Sequence, residues 1–138
     1  MPIDPTLVGR TYPPTPPYAV THEAVRAFAT ALDPDTGGTG DGEVAVPATF
    51  PIVLAFGAMN TFLAAEDVEL SRIVHGEQKF SYRRPVAVGD VLVASLTVSG
   101  LRQIGGNDII ATTSAVTDAD GEVVCETTST LVHRGGAA

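Results

Sequence analysis

The residues best suited to chemistry crowd into one stretch, LDPDTGGTGDGEVAVP, residues 32–47. It carries Asp33, Asp35, Asp41 and Glu43, with glycines at 37, 38, 40 and 42. Three chemistries compete for it. A calcium loop would use Asp33 and Asp35 as its first two ligands, with Gly38 at the sharp turn. Its fifth position is then Gly37, and Val44 stands where a bidentate glutamate is required. Starting from Asp35 fails in the same way, at Val46. A phosphate cradle needs G-x-G-x-x-G or G-x-x-x-x-G-K-[ST], and the spacing matches neither. No Lys or Arg lies between Arg26 and Arg72, so an anion would meet only carboxylates. General acid/base work remains. A carboxylate paired with a histidine can move a proton and orient a water. Yet no histidine lies between His22 and His75. Asp33 and Asp35 are the acid candidates, with His75 as a partner brought in through space. The plain alternative is a solvated connector.

Composition narrows the partners. The 138 residues fit one domain, 1–138, with one core. Sixteen acidic residues against eight basic ones give a net charge of −8. That excludes nucleic acid and anionic membrane as main partners. Cys125 is the single cysteine, so neither an intrachain disulfide nor a cysteine zinc cluster can form. No metal and no cofactor is implied. The opening MPIDPTLVGR lacks a cationic stretch followed by an apolar one, so no signal peptide is read. Val44 to Ala65 carries no charge, but Pro47 and Pro51 interrupt it. A helix from Pro51 to Ala65 spans roughly 22 Å, short of a bilayer core of about 30 Å. The expectation is a soluble, cytoplasmic protein.

The elements that must hold these residues follow from period and punctuation. LVGRTYPPTPPYAV is an extended edge segment, because Pro13, Pro14, Pro16 and Pro17 forbid helix and central strand. Thr21 caps a helix over HEAVRAFATAL, with Val25, Phe28, Ala29 and Leu32 on its apolar face. The second helix, from Pro51, is apolar on nearly every side, which predicts that other elements enclose it. Gly57 and Ala58 would admit a close backbone neighbour. From Ile73 to His133 the period becomes two, and four strands are expected. Alternation puts Gly76, Gln78, Phe80 and Tyr82 on one face of the first strand. His75, Glu77, Lys79 and Ser81 take the other. Asp120-Gly121 marks a hairpin. The sum is an α+β hot-dog fold, an antiparallel sheet wrapped around one long central helix. Its uncovered edges predict a dimer.

VHGEQKFSYRRPVAVGD, residues 74–90, resembles a motif of the MaoC-like hydratase and dehydratase superfamily. The resemblance extends to LVGRTYPPTPPYAVTHEAVRAFATAL and to VPATF before the second helix, so it covers almost the whole chain. It is greatest to the non-catalytic first subunit of actinobacterial (3R)-hydroxyacyl-ACP dehydratases. Active members of the superfamily carry Asp-x-Asn-Pro-(Leu/Ile)-His after the first helix. That Asp and His handle the water and proton exchanged across C2–C3 of an acyl thioester. The matching segment here is residues 32–47, and its histidine is missing. The resemblance therefore implies a subunit that shapes the substrate channel of a hydro-lyase in fatty acid elongation. A partner hot-dog subunit would supply the catalytic pair, in a heterodimer; a homodimer is the other arrangement. The substrate would be an acyl-CoA or an acyl-ACP.

Such a site needs an apolar channel and polar anchors. Phe50, Ile52, Phe56, Met59 and Phe62 are candidates for the channel, and Asn60 for a polar substrate group. Arg83 and Arg84, with Arg72 and Lys79 nearby in sequence, are candidates for phosphate or acidic-carrier contacts. Each has a plainer reading, as core packing or as a surface ion pair. His22 and His133 read as incidental. Three alternatives stay open: a self-sufficient hydratase, a non-enzymatic acyl-thioester binding module, and a hot-dog thioesterase. For the last, only Glu66 and Asp67 lie near the second helix, at its far end.

Overall fold

The computed structural model describes residues 5–32 and 45–134. Asp33, Asp35 and most of the acidic segment lie outside them. A short 3₁₀ turn at Pro5–Leu7 leads into β1 (Tyr18–Ala19) and α1 (His22–Leu32). The central helix α2 spans Ile52–Ala65. Four long strands follow: β2 (Ile73–Tyr82), β3 (Val91–Ile104), β4 (Asn107–Thr117) and β5 (Val123–His133). They form one antiparallel sheet in the order β1-β3-β4-β5-β2.

Local chemistry accounts for the boundaries. Thr21 Oγ1 accepts the Ala24 N–H at 3.0 Å and caps α1. Val25 and Ala29 are buried and Phe28 packs edge-on against Phe50, at 5.3 Å between centroids. Leu32, expected on the same face, is 60% exposed. Pro51 precedes the first turn of α2, where an N–H would have no helical partner. Gly121 turns the β4–β5 hairpin at φ 83°, a conformation open to glycine at little cost.

The proline-rich start runs as a strap along the free side of β3. The N–H groups of Gly9, Tyr12 and Thr15 donate to the carbonyls of Val98, Leu96 and Ala94. Thr15 Oγ1 in turn accepts the Ala94 N–H at 2.9 Å. The four prolines point outward and lack only N–H groups that the pairing does not use. Tyr12 and Thr15 point inward and are buried. The strap thus covers one sheet edge. At the other edge, β2 is hydrogen-bonded to β5 alone among the described residues.

The core lies between α2 and the concave face of the sheet. Leu54, Ala58, Met59 and Phe62 meet Leu92, Leu96 and Val98 of β3, with Ile110, Val116 and Leu131 beside them. The helix packs chiefly on β3 and β4. Enclosure on all sides is not found. Phe56 is 44% exposed and Asn60 and Ala64 are also exposed, so an outward stripe runs down α2. One five-stranded sheet covers one side of a helix, and the apolar residues on the other side stay exposed among the described residues. No helix among the described residues is long and apolar enough to cross a membrane.

Strict alternation also fails in β2. The register with β5 slips between His75 and Glu77, leaving Gly76 as an extra residue. Directly opposed residues share a face, so His75 opposite Leu131 lies with Gln78, Phe80 and Tyr82 on the concave side. The expectation that His75 faces away from Phe80 and Tyr82 is corrected by this bulge. A Cβ at Gly76 would sit 3.4 Å from the Thr130 carbonyl oxygen, at the tight limit of ordinary contact.

Candidate functional site

The end of β2 and the segment entering α2 converge on one cleft. Its volume is about 410 Å³. Val46, Ala48, Tyr82, Pro85 and Val86 form apolar walls, and Arg83 and Arg84 supply the cations. Tyr82 Oη donates to the Ala48 carbonyl at 2.5 Å and ties the two sides together. Burial, and then the neighbouring Cys125, push the Tyr82 phenol up to about 12. It stays a neutral donor at any physiological pH.

The two arginines differ in how they are held. Arg84 is committed. Its guanidinium grips Asp90 through two hydrogen bonds, at 2.9 and 3.2 Å, and reaches Asp118 at 3.3 Å and the Pro85 carbonyl at 3.0 Å. It pins the β2–β3 turn to the β4–β5 turn. Burial alone would raise the Asp90 carboxyl, but the Arg84 hydrogen bonds and the Ala87 N–H outweigh it and hold it below its usual value. Among the described residues Arg83 makes one exposed ion pair, with Glu126 at 3.1 Å. Its side chain is 64% exposed.

Sequence candidates divide between cleft and core. Arg83 and Arg84 come together in the cleft. Phe50 and Phe62 are fully buried and Met59 nearly so, all within the core. Phe62 packs edge-on against Tyr12, with centroids 5.1 Å apart. Ile52 is half-buried at the start of α2, and Phe56 and Asn60 face outward. None of these six lines the cleft. Arg72 and Lys79 do not join Arg83 either. Arg72 bonds the Arg134 carbonyl at the other end of β2, roughly 30 Å of strand away. Lys79 pairs loosely with Glu77 at 3.9 Å.

The histidines are also settled in space. His75 Nε2 donates to Gln78 Oε1 at 2.9 Å, and Ser129 Oγ donates to the same oxygen at 2.5 Å. Among the described residues His75 is therefore partnered by an amide; Asp33 and Asp35 lie outside them. His22 is exposed at the start of α1. His133, read as incidental to the chemistry, has a buried structural contact. Its Nδ1 lies 3.3 Å from Asp108 Oδ2, with both side chains at least nine-tenths buried. Counting equally outward from Asp120-Gly121 pairs Asp108 with His133, so the hairpin signal already contained this contact. Glu66, a carboxylate near α2, is spoken for by Arg10 at 2.9 Å and Tyr12 at 2.6 Å. No cluster of three His, Cys, Asp or Glu among the described residues is placed to hold a metal.

Residues 6–127 match the family described as FAS1-like, dehydratase domain region. A UPF0336 protein of Clavibacter michiganensis is 43% identical over 149 aligned residues, covering all of both chains. The HadBC (3R-hydroxyacyl-ACP dehydratase) complex of Mycobacterium tuberculosis holds a chain with 29% identity and a TM-score of 0.76. The match covers 91% of this chain and 96% of that one. A MaoC-like dehydratase from Rhodospirillum rubrum, 20% identical, shares the fold with a TM-score of 0.67 over 95% of this chain and 94% of its own. The resemblance read from residues 74–90 is borne out in family and fold: the chain belongs to the FAS1-like dehydratase family, with the hot-dog fold of the MaoC-like proteins.

Proposed function

We propose that this chain is the substrate-channel and structural subunit of an (R)-specific 3-hydroxyacyl-thioester dehydratase of fatty acid elongation. The catalytic Asp and His come from a partner hot-dog subunit. One observation carries the reading: residues 32–47, where active relatives place Asp-x-Asn-Pro-x-His, contain no histidine. The histidines elsewhere do not replace it. Among the described residues His75 is bonded to an amide, and the side chains of Asp108 and His133 are turned to each other and buried. The general acid and base contribute typically 10²–10⁴-fold each to such reactions, so a chain without them loses the bulk of its rate.

Other features support the same reading. The apolar cleft with Arg83 at its mouth suits a pantetheine arm that ends in phosphate. Phe56 and Asn60 on the outward stripe of α2, and the open β2 edge, offer surfaces to a partner. A thioesterase reading has little to stand on, because Glu66 is held by Arg10 and Tyr12.

Hydration of a crotonyl thioester tests the proposal. The isolated chain should show no turnover. Co-expression with a hot-dog subunit carrying Asp-x-Asn-Pro-x-His should restore it. Full activity from this chain alone would overturn the assignment.

A further inference from the structure

We infer that Glu126 is a built-in competitor for the phosphate of a phosphopantetheine ligand, occupying Arg83 until that ligand displaces it. The inference rests on the acyl-thioester reading of the cleft and adds the residue that governs its selectivity.

Arg84 already answers to two carboxylates, Asp90 and Asp118. Arg83 answers to one, Glu126. Among the described residues two guanidinium groups therefore face three carboxylates, a local excess of negative charge in a chain that is itself −8. An incoming phosphate is repelled unless one cation is released to it. Arg84 cannot be released. Its forked grip on Asp90 closes the β2–β3 turn and its bond to Asp118 ties that turn to the β4–β5 turn, so releasing it would undo both.

Arg83 can be released at little cost. Its pair with Glu126 is a single contact at 3.1 Å, and the two side chains are 64% and 41% exposed. Exposed pairs of this kind contribute little. The cleft walls include Arg83 but not Glu126. Arg83 thus stands between an apolar cleft and an outward carboxylate, and swings from one to the other by side-chain rotation alone. Lys79 and Glu77, the next charged residues along β2, pair with each other and do not intervene.

This arrangement sets selectivity. A neutral pantetheine gains the apolar walls without disturbing the ion pair. A phosphorylated one must displace Glu126, and is then held by a charge-assisted contact that the neutral ligand cannot make. Glu126 therefore lowers the affinity for phosphate without touching the rest of the ligand.

Titration calorimetry on the intact chain tests this with three probes: pantetheine, 4′-phosphopantetheine and coenzyme A. The native chain should favour 4′-phosphopantetheine over pantetheine. Glu126→Gln should tighten 4′-phosphopantetheine by about two- to fivefold, the range an exposed ion pair allows, and leave pantetheine unchanged. Arg83→Gln should erase the preference for the phosphorylated probe. Both positions are exposed, so neither change threatens folding. Equal affinities for 4′-phosphopantetheine and coenzyme A would point to the arm of a carrier protein as the source. Tighter coenzyme A would point to the free thioester. The inference is overturned if Glu126→Gln leaves 4′-phosphopantetheine binding unchanged or weaker, or if the native chain does not distinguish the phosphorylated probe. Reconstituted activity decides the subunit role separately, so the two can fail independently.

Discussion

Tyr12 and Tyr82 each place a phenol where its anion is disfavoured. Tyr12 is pushed up to about 12 by burial first and then by its bond to Glu66. Tyr82 reaches about 12 by burial and then Cys125. Unfolded, both would ionise near 10.0. A raised acid pKa contributes stability that is intact below pH 10 and lost as pH rises through about 12. Denaturant melts across that window should show a falling midpoint, and Tyr12→Phe should flatten the fall. At the acid end the sign reverses. Asp90 is held below the ordinary 3.8, despite burial, by Arg84 and the Ala87 N–H. Its contribution is present above that value and disappears as pH drops through its folded pKa. Asp90→Asn should therefore lower the thermal midpoint at neutral pH and remove part of its acid dependence. At this scale the sequence was only partly legible. Arg84-Pro85 and Gly89-Asp90 were visible as a motif, but nothing in their spacing said that Asp118, from another turn, would complete the network.

Two glycines in different elements show how far pattern reading carries. Gly57 sits within α2, where a Cβ would meet Thr15 Cγ2 at 3.5 Å, an ordinary contact. Gly57→Ala should be tolerated, and should stabilise the chain by up to about 1 kcal/mol, because alanine loses less backbone freedom in a helix. Gly76 is the tighter case, because its added Cβ would lie 3.4 Å from a backbone oxygen, that of Thr130 at the bulge, at the limit of ordinary contact. Gly76→Ala should lower stability or shift the β2–β5 register, and amide exchange along Gln78 to Tyr82 would report which. Strands, helices and the α1 cap were legible because period, proline and Thr21 each carry a local signal. The bulge was not, because alternation assumes one residue per step. An inserted residue therefore moved His75 to the other face without changing composition or period on either side of it. The Asp108–His133 contact is legible only when the hairpin register is counted out, because His133 by itself carries no signal of its partner.

For the whole molecule, the difference between its two sheet edges has a consequence for assembly. The strap seals β3 through the N–H groups of Gly9, Tyr12 and Thr15 and the bridge between Thr11 and Thr97, while β2 stays open among the described residues. The PPxPP pattern made the strap readable as an edge segment, but only the fold shows which edge it covers. A sheet with one open edge pairs with one other edge and stops. A sheet with two open edges can add copies at both, and the series has no natural end. Detaching the strap should add a second open edge and with it open-ended association. Tyr12→Ala with Thr15→Ala removes its two inward anchors, including the ring that packs on Phe62 and the hydroxyl that accepts from Ala94. Light scattering with size-exclusion chromatography should find the native chain as a discrete species and the double variant as a spread of larger ones that grows with concentration. Circular dichroism must show the sheet retained, since loss of Tyr12 also removes core surface. A folded variant that keeps the native size would mean that the strap serves the core alone and that β3 needs no guard.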